Sequence, residues 1–143
     1  MVRRFDVSEK NGVTFIDDYA HHPTACRLTT EAAKKRFPEK NVICVFQPHM
    51  VSRTKEFKDE FAQAFRACDE IIIADIFASA RESSDGYTSK DLVDLMQKYH
   101  PAAQHGGSLD DIIQELQARK LTSRDVVMTM GAGDVYKIID SLK

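Results

Sequence analysis

Val42-Ile43-Cys44-Val45-Phe46 is an unbroken apolar run, and Gln47-Pro48-His49-Met50-Val51-Ser52-Arg53-Thr54 follows it at once. Apolar residues without alternation describe a strand buried on both faces, as in a parallel sheet covered by helices. Ile71-Ile72-Ile73-Ala74 and Val126-Val127-Met128 repeat the pattern. Helical spacing fills the intervals: Phe57, Phe61 and Phe65; Leu92, Leu95, Met96 and Tyr99; Leu109, Ile112, Ile113 and Leu116; Val135, Ile138, Ile139 and Leu142. The phenylalanine stripe reads as a core face. Strands alternating with helices predict an α/β domain with a Rossmann-like, open and mostly parallel sheet and helices on both faces. A short strand near residues 102–105 completes this expectation.

The opening residues follow a different period. Phe5 and Val7 alternate with polar neighbours, Asn11-Gly12 supplies turn chemistry, and Val13 and Phe15 resume the alternation. This predicts an N-terminal antiparallel hairpin.

The chain has 143 residues, 43% hydrophobic and 29% charged, with a formal net charge of -2. That length suits one domain with a substantial core, and the charge gives no basic surplus for nucleic acid. No apolar stretch reaches the roughly 20 residues that span a bilayer, and residues 1–6 lack the apolar core of a signal peptide. Cys26, Cys44 and Cys68 are widely spaced and form no C-x-x-C pair. They read as reduced, packed thiols of a cytoplasmic protein.

Ligands of open α/β sheets bind beyond the carboxyl ends of the strands. That rule selects the loops after Ile16, Phe46, Ala74 and Met130. The first holds Asp17-Asp18-Tyr19-Ala20-His21-His22-Pro23-Thr24, a density of ionisable groups costly in a core and useful in a site. Pro23 suits the first turn of a helix running to about Phe37. One Asp or His capping that helix accounts for one of these residues and not for all five. In the second loop Ser52 is a candidate cap, while Arg53 suits either a bidentate grip on a carboxylate or a surface ion pair. The third loop runs from Asp75 through Ser79 and Arg81 to Gly86, and Thr88-Ser89-Lys90-Asp91 then reads as a capping box. Arg81 suits a ligand contact and a loop-anchoring ion pair equally. Gly131-Ala132-Gly133-Asp134 opens the last helix and lacks the third glycine of a dinucleotide fingerprint, yet its glycines allow backbone to approach a ligand closely. No G-x-x-x-x-G-K-[ST] is present, so any main phosphate cradle lies elsewhere.

Arg3-Arg4-Phe5, the 17–24 motif, Phe46-Gln47-Pro48-His49 with Ser52-Arg53-Thr54, and Gly131-Ala132-Gly133-Asp134 share order and spacing over nearly the whole chain with one family. The chain resembles the C-terminal domain of the Mur ligases. The resemblance implies that residues 1–143 are the last, amino-acid-binding domain of a three-domain bacterial cytoplasmic enzyme of peptidoglycan synthesis. A UDP-binding domain and a central ATPase domain with the P-loop would lie outside the chain. It implies ATP and Mg2+, the latter held mainly by the central domain, and UDP-N-acetylmuramate and L-alanine as partners. An acyl phosphate would be the intermediate, and the domain alone would be inactive.

The resemblance also assigns roles. Arg4 and Asp18 look like nucleotide contacts, with Arg3 and Asp17 as the second candidate of each doublet. Asp18 and His21 look catalytic. Tyr19, His21, His49 and Arg53 resemble the amino-acid pocket, joined by Ser79, Arg81, Gly131 and Gly133. Some members carry arginine where this chain has Met50, so carboxylate binding rests on Arg53. Two other classes remain open at this level. Asp17, Asp18, His21, His22 and His49 could hold manganese or zinc in a phosphoesterase, although adjacent histidines seldom point the same way. The third class is a non-catalytic α/β binding module.

Overall fold

The computed structural model describes residues 4–77 and 87–142. Strand β1 (Asp6–Lys10) pairs antiparallel with β2 (Val13–Asp18), and the two residues between them, Asn11 and Gly12, have φ of 54° and 82°. Two positive φ values match the twist of a tight hairpin, as an Asn-Gly pair favours. The chain continues through α1 (Pro23–Arg36), β3 (Asn41–Phe46), α2 (Val51–Glu56), α3 (Lys58–Ala64), β4 (Glu70–Ala74), α4 (Ser89–Met96), β5 (Ala103–Gly107), α5 (Leu109–Ala118), β6 (Asp125–Met130) and α6 (Lys137–Leu142).

The six strands form one sheet in the order β1-β2-β6-β3-β4-β5, parallel throughout except at β1. Alternate residues of each strand feed two cores. Ile16, Cys44, Phe46, Ile71, Ile73 and Met128 pack with Cys26, Phe61, Phe65 and Leu92 of the α1/α3/α4 side. Phe15, Ile43, Val45, Ile72 and Val127 pack with Ile112, Leu116, Ile138 and Ile139 of the α5/α6 side. Helices therefore cover both faces, as continuous apolar strands require.

Four local differences from the sequence expectation have physical causes. Strand β2 runs two residues beyond Ile16, because Asp17 and Asp18 still pair with Thr129 and Met130 of β6. The 57/61/65 stripe is split, with Phe57 standing between α2 and α3 at φ -104°, ψ 23°. Phe61 and Phe65 remain core residues, 5.3 and 5.0 Å from the Phe46 ring. Helix α4 ends at Met96, leaving Tyr99 beneath the Arg66 guanidinium, 4.9 Å from its ring centre. Strand β5 begins one residue later and ends two residues later than the 102–105 expectation. Thr88 and Asp91 form the expected capping box.

Strand β6 lies between β2 and β3 and aligns Met130 with both Asp18 and Phe46. The loops after β2, β6 and β3 therefore leave the sheet side by side, where an open parallel sheet presents its ligands.

Candidate functional site

Successive strand residues face opposite ways, and Asp17 and Asp18 are separated by this rule. Asp17 Oδ1 accepts a hydrogen bond from Thr129 Oγ1 at 2.7 Å, and Thr129 is fully buried. Asp18 turns to the other face, 9% exposed, where Oδ1 accepts from the Ala20 N–H at 2.8 Å and Oδ2 from the Phe5 N–H at 2.9 Å. Asp18 thereby holds the backbone directly after Arg4. The two residues line one cleft of about 430 Å³ with Tyr19, His21, and Ala25 and Leu28 of α1.

The paired histidines take opposite roles. His22 is the N-cap of α1: its Nδ1 accepts from the Thr24 N–H at 3.3 Å, and Pro23 occupies the first helical position. One member of the cluster thus serves as a cap. His21 Nδ1 lies 3.1 Å from the Tyr19 carbonyl oxygen. A carbonyl only accepts, so this nitrogen carries the proton and Nε2 keeps its lone pair in the neutral ring. The half-exposed Tyr19 ring meets His21 edge-on at 5.1 Å, and the His49 ring stands 6.5 Å from His21.

Backbone bonds tie the β3 loop to its neighbours. Met50 N–H donates to Phe77 O at 2.7 Å, and Phe77 N–H donates to Pro48 O at 2.8 Å. Gln47 N–H donates to Met130 O at 3.0 Å, and its buried side chain donates from Nε2 to Asp134 Oδ1 at 3.2 Å. Among the described residues, the buried Gln47 Oε1 has no hydrogen-bond partner. Met50, at φ 70°, is the N-cap of α2, and among the described residues no side chain caps this helix. Ser52 sits inside the first turn, so it is not the cap expected from sequence. Arg53 is half-buried on α2, and among the described residues nothing hydrogen-bonds or ion-pairs with its guanidinium. It does not line the Arg4–Asp18 cleft.

The glycines serve packing directly. A Cβ on Gly131, at φ 147°, would lie 2.8 Å from the Gln47 backbone oxygen. One on Gly133 would lie 2.6 Å from Gln47 Oε1 and 3.0 Å from two carbons of the Phe77 ring. The β6 loop thus presses its backbone onto the β3 and β4 loops. Arg3, Ser79 and Arg81 lie outside the described residues.

The phosphoesterase donor set does not assemble. Asp17 and Asp18 face opposite sides of the sheet, and His22 spends its Nδ1 on the cap of α1. Among the described residues, no three His, Cys, Asp or Glu side chains are grouped so as to hold a metal ion. The three cysteines are free and buried, and burial pushes the Cys26 and Cys44 thiols up. Among the described residues no helix is long and apolar enough to cross a membrane.

Sequence reasoning singled out the β2 loop residues and His49. It quoted Gln47 within a motif without assigning it a role and passed over Phe77 and Thr129, and the contacts of all three arise only when strands distant in sequence are placed side by side.

A profile of the family described as Mur ligase, glutamate ligase domain, matches residues 3–133. The chain is 44% identical over 142 residues to the UDP-N-acetylmuramate–L-alanine ligase of Desulfitobacterium hafniense, covering 98% of this chain and 31% of that protein. It is 48% identical to the enzyme of that name from Alkaliphilus metalliredigens, covering 98% of this chain and 30% of the relative. The crystal structure of UDP-N-acetylmuramate-alanine ligase from Thermotoga maritima shares the fold with a TM-score of 0.76 at 23% identity, over 99% of this chain and 29% of that one. The chain therefore spans about a third of the length of the relatives it matches. With the profile matching residues 3–133 and relatives 44–48% identical over nearly its whole length, the chain belongs to the Mur ligase family and is a Mur ligase C-terminal domain.

Proposed function

We propose that the chain is the amino-acid-binding domain of an ATP-dependent ligase that joins L-alanine to UDP-N-acetylmuramate in bacterial cytoplasmic peptidoglycan synthesis. The observation that carries this reading is the match at 40–48% identity, along nearly the whole chain, to ligases of that name. Residues 1–143 then form one domain, and the UDP-binding and ATPase domains belong to the rest of the protein. ATP would supply the phosphoryl group that turns the muramate carboxylate into an acyl phosphate, which the alanine amine attacks to release phosphate.

The domain's own residues divide that task. Arg4 brings positive charge to the cleft, suited to the nucleotide. Each Asp18 oxygen accepts one backbone hydrogen bond and retains a lone pair for a ribose hydroxyl. His21 Nε2 faces the incoming amine as acceptor or base. Tyr19 and His49 flank it, Arg53 offers a fork for the alanine carboxylate, and Gly131 and Gly133 let the β6 loop close on the pocket. Among the described residues no three His, Cys, Asp or Glu side chains are grouped to hold Mg2+, which would be held mainly by the central domain.

Mixing this chain with a relative truncated to its first two domains tests the proposal. Phosphate release should depend on L-alanine, UDP-N-acetylmuramate and ATP, and should be absent for either piece alone. Release by this chain alone, or an Arg4→Ala, Asp18→Asn double variant that reconstitutes at the wild-type rate, would overturn it. Glycine and L-serine measure discrimination, for which one methyl group is worth about 1–3 kcal/mol.

A further inference from the structure

We propose that Phe77 is the positioning residue that fixes the plane of the His49 imidazole; its role in turnover rests on the ligase reading above. Phe77 is 40% exposed, so burial does not explain its place. Its backbone is pinned on both sides, accepting from Met50 N–H and donating to Pro48 O, as an isolated parallel bridge between His49 and Phe77. This bridge continues the β3–β4 ladder past the ends of both strands. Its ring then lies over His49 with centroids 5.4 Å apart and 14° between planes. Such offset stacking is an attractive geometry for flat rings.

The opposite contact is equally confined. Two carbons of the Phe77 ring stand where a side chain on Gly133 would come within 3.0 Å. Phe77 is thus wedged between the β6 loop and His49. The rings of Phe77, His49, His21 and Tyr19 form a row, with successive centroids 5.4, 6.5 and 5.1 Å apart. The row crosses the carboxyl ends of β4, β3 and β2 and ends in the Arg4–Asp18 cleft. A rotation of His49 would alter the wall that His21 faces. Phe77 reaches the amino-acid pocket through His49, without contacting the reacting atoms itself.

Two measurements test this. Long-range 1H–15N correlation on the 143-residue chain, with His49 assigned by its loss in His49→Gln, reads the imidazole directly. Phe77→Tyr should keep the ring-current displacement of the His49 ring protons, and Phe77→Leu should abolish it while circular dichroism stays native. Unchanged His49 signals in a folded Phe77→Leu chain would overturn the proposal. In the reconstituted ligase, Phe77→Leu should raise KM for L-alanine at least about tenfold, leave KM for ATP unchanged, and be rescued by Phe77→Tyr. An unchanged KM for L-alanine would equally overturn it. Should wild-type reconstitution show no alanine-dependent turnover, the ligase reading fails, and the imidazole signals still decide whether Phe77 holds His49.

Discussion

Asp18 Oδ2 accepts a hydrogen bond from the backbone N–H of Phe5 at 2.9 Å. A carboxylate at the end of β2 therefore holds the residue next to Arg4, thirteen positions earlier in the chain. The same side chain fixes the turn out of β2 through Ala20. Asp18→Ala leaves two N–H groups without their acceptor, and it should lower unfolding free energy by about 2–4 kcal/mol. Asp18→Asn keeps one acceptor and should lose roughly half as much. Urea titration of both variants measures the difference. In the reconstituted ligase, Asp18→Asn should raise KM for ATP. An Asn variant with unchanged KM for ATP would confine Asp18 to architecture.

Asp69 provides a pH test far from the cleft. Burial pushes its carboxyl up, but the Lys34 ammonium at 2.7 Å and the Val42 N–H at 2.8 Å outweigh it and hold the group below its usual range. A depressed folded pKa gives stability that is present above the unfolded value, near 3.9, and lost as pH falls through the folded value. Asp69→Asn should therefore cost about 1 kcal/mol at pH 7, the side chain being 37% exposed and its ion pair screened. The cost should shrink below about pH 4. Urea titrations at pH 7 and pH 2.5 check this, and a cost undiminished at the lower pH would contradict it.

Lys120 marks a place where the backbone works against its residue. It follows the C-cap of α5 with φ 54°, a left-handed conformation that glycine adopts freely at this position of a helix end. The side chain is exposed. Relief of the Cβ clash outweighs the added chain entropy of glycine. Lys120→Gly should stabilise by about 0.5–1 kcal/mol and raise Tm by about 2–4 °C in a thermal scan. A lower Tm would show that the Lys120 stem packs on something of greater worth.

The legible parts of this fold were those where one signal dominated. The strand runs at Val42, Ile71 and Val126 are apolar on both faces, and the structure buries them on both faces. Asn11-Gly12 and Thr88–Asp91 carried chemistry specific to one conformation. Strand β5 was faint because Gln104, His105, Gly106 and Gly107 carry no apolar signal. It forms because β4 pairs with it and because Gly106 leaves room for Ile72 and Ile112, which a Cβ would meet at 2.5 and 2.6 Å. The break at Phe57 was invisible to periodicity, since the residues on either side keep their spacing.

The site divides in the same way. The 17–24 cluster was legible by its density of ionisable groups, and the structure brings Asp18, Tyr19 and His21 to one cleft with Arg4. Which member of the Asp doublet faces that cleft depended on the register of β2 against β6, and periodicity placed both residues in a loop. Phe77 gave no signal because an aromatic in a loop means little until the ring it stacks upon is known.

Gly131 and Gly133, two residues apart, should respond oppositely to alanine. At Gly131 the new Cβ meets a backbone oxygen, that of Gln47, at 2.8 Å, and φ is 147°. Gln47 is itself bonded to Met130 across the β3–β6 ladder, so that oxygen cannot retreat without disturbing the sheet. Gly131→Ala should cost about 2–3 kcal/mol in urea titration. At Gly133 the obstacles are side-chain atoms, Gln47 Oε1 and the Phe77 ring, which can turn aside. Gly133→Ala should cost about 1 kcal/mol yet displace the Phe77 ring, and with it His49. Its signature is a raised KM for L-alanine in the reconstituted ligase, with ring-proton shifts at His49 like those of Phe77→Leu. A Gly133→Ala chain that loses stability as heavily as Gly131→Ala, with His49 undisturbed, would place both glycines in the frame of the sheet and neither beside the pocket.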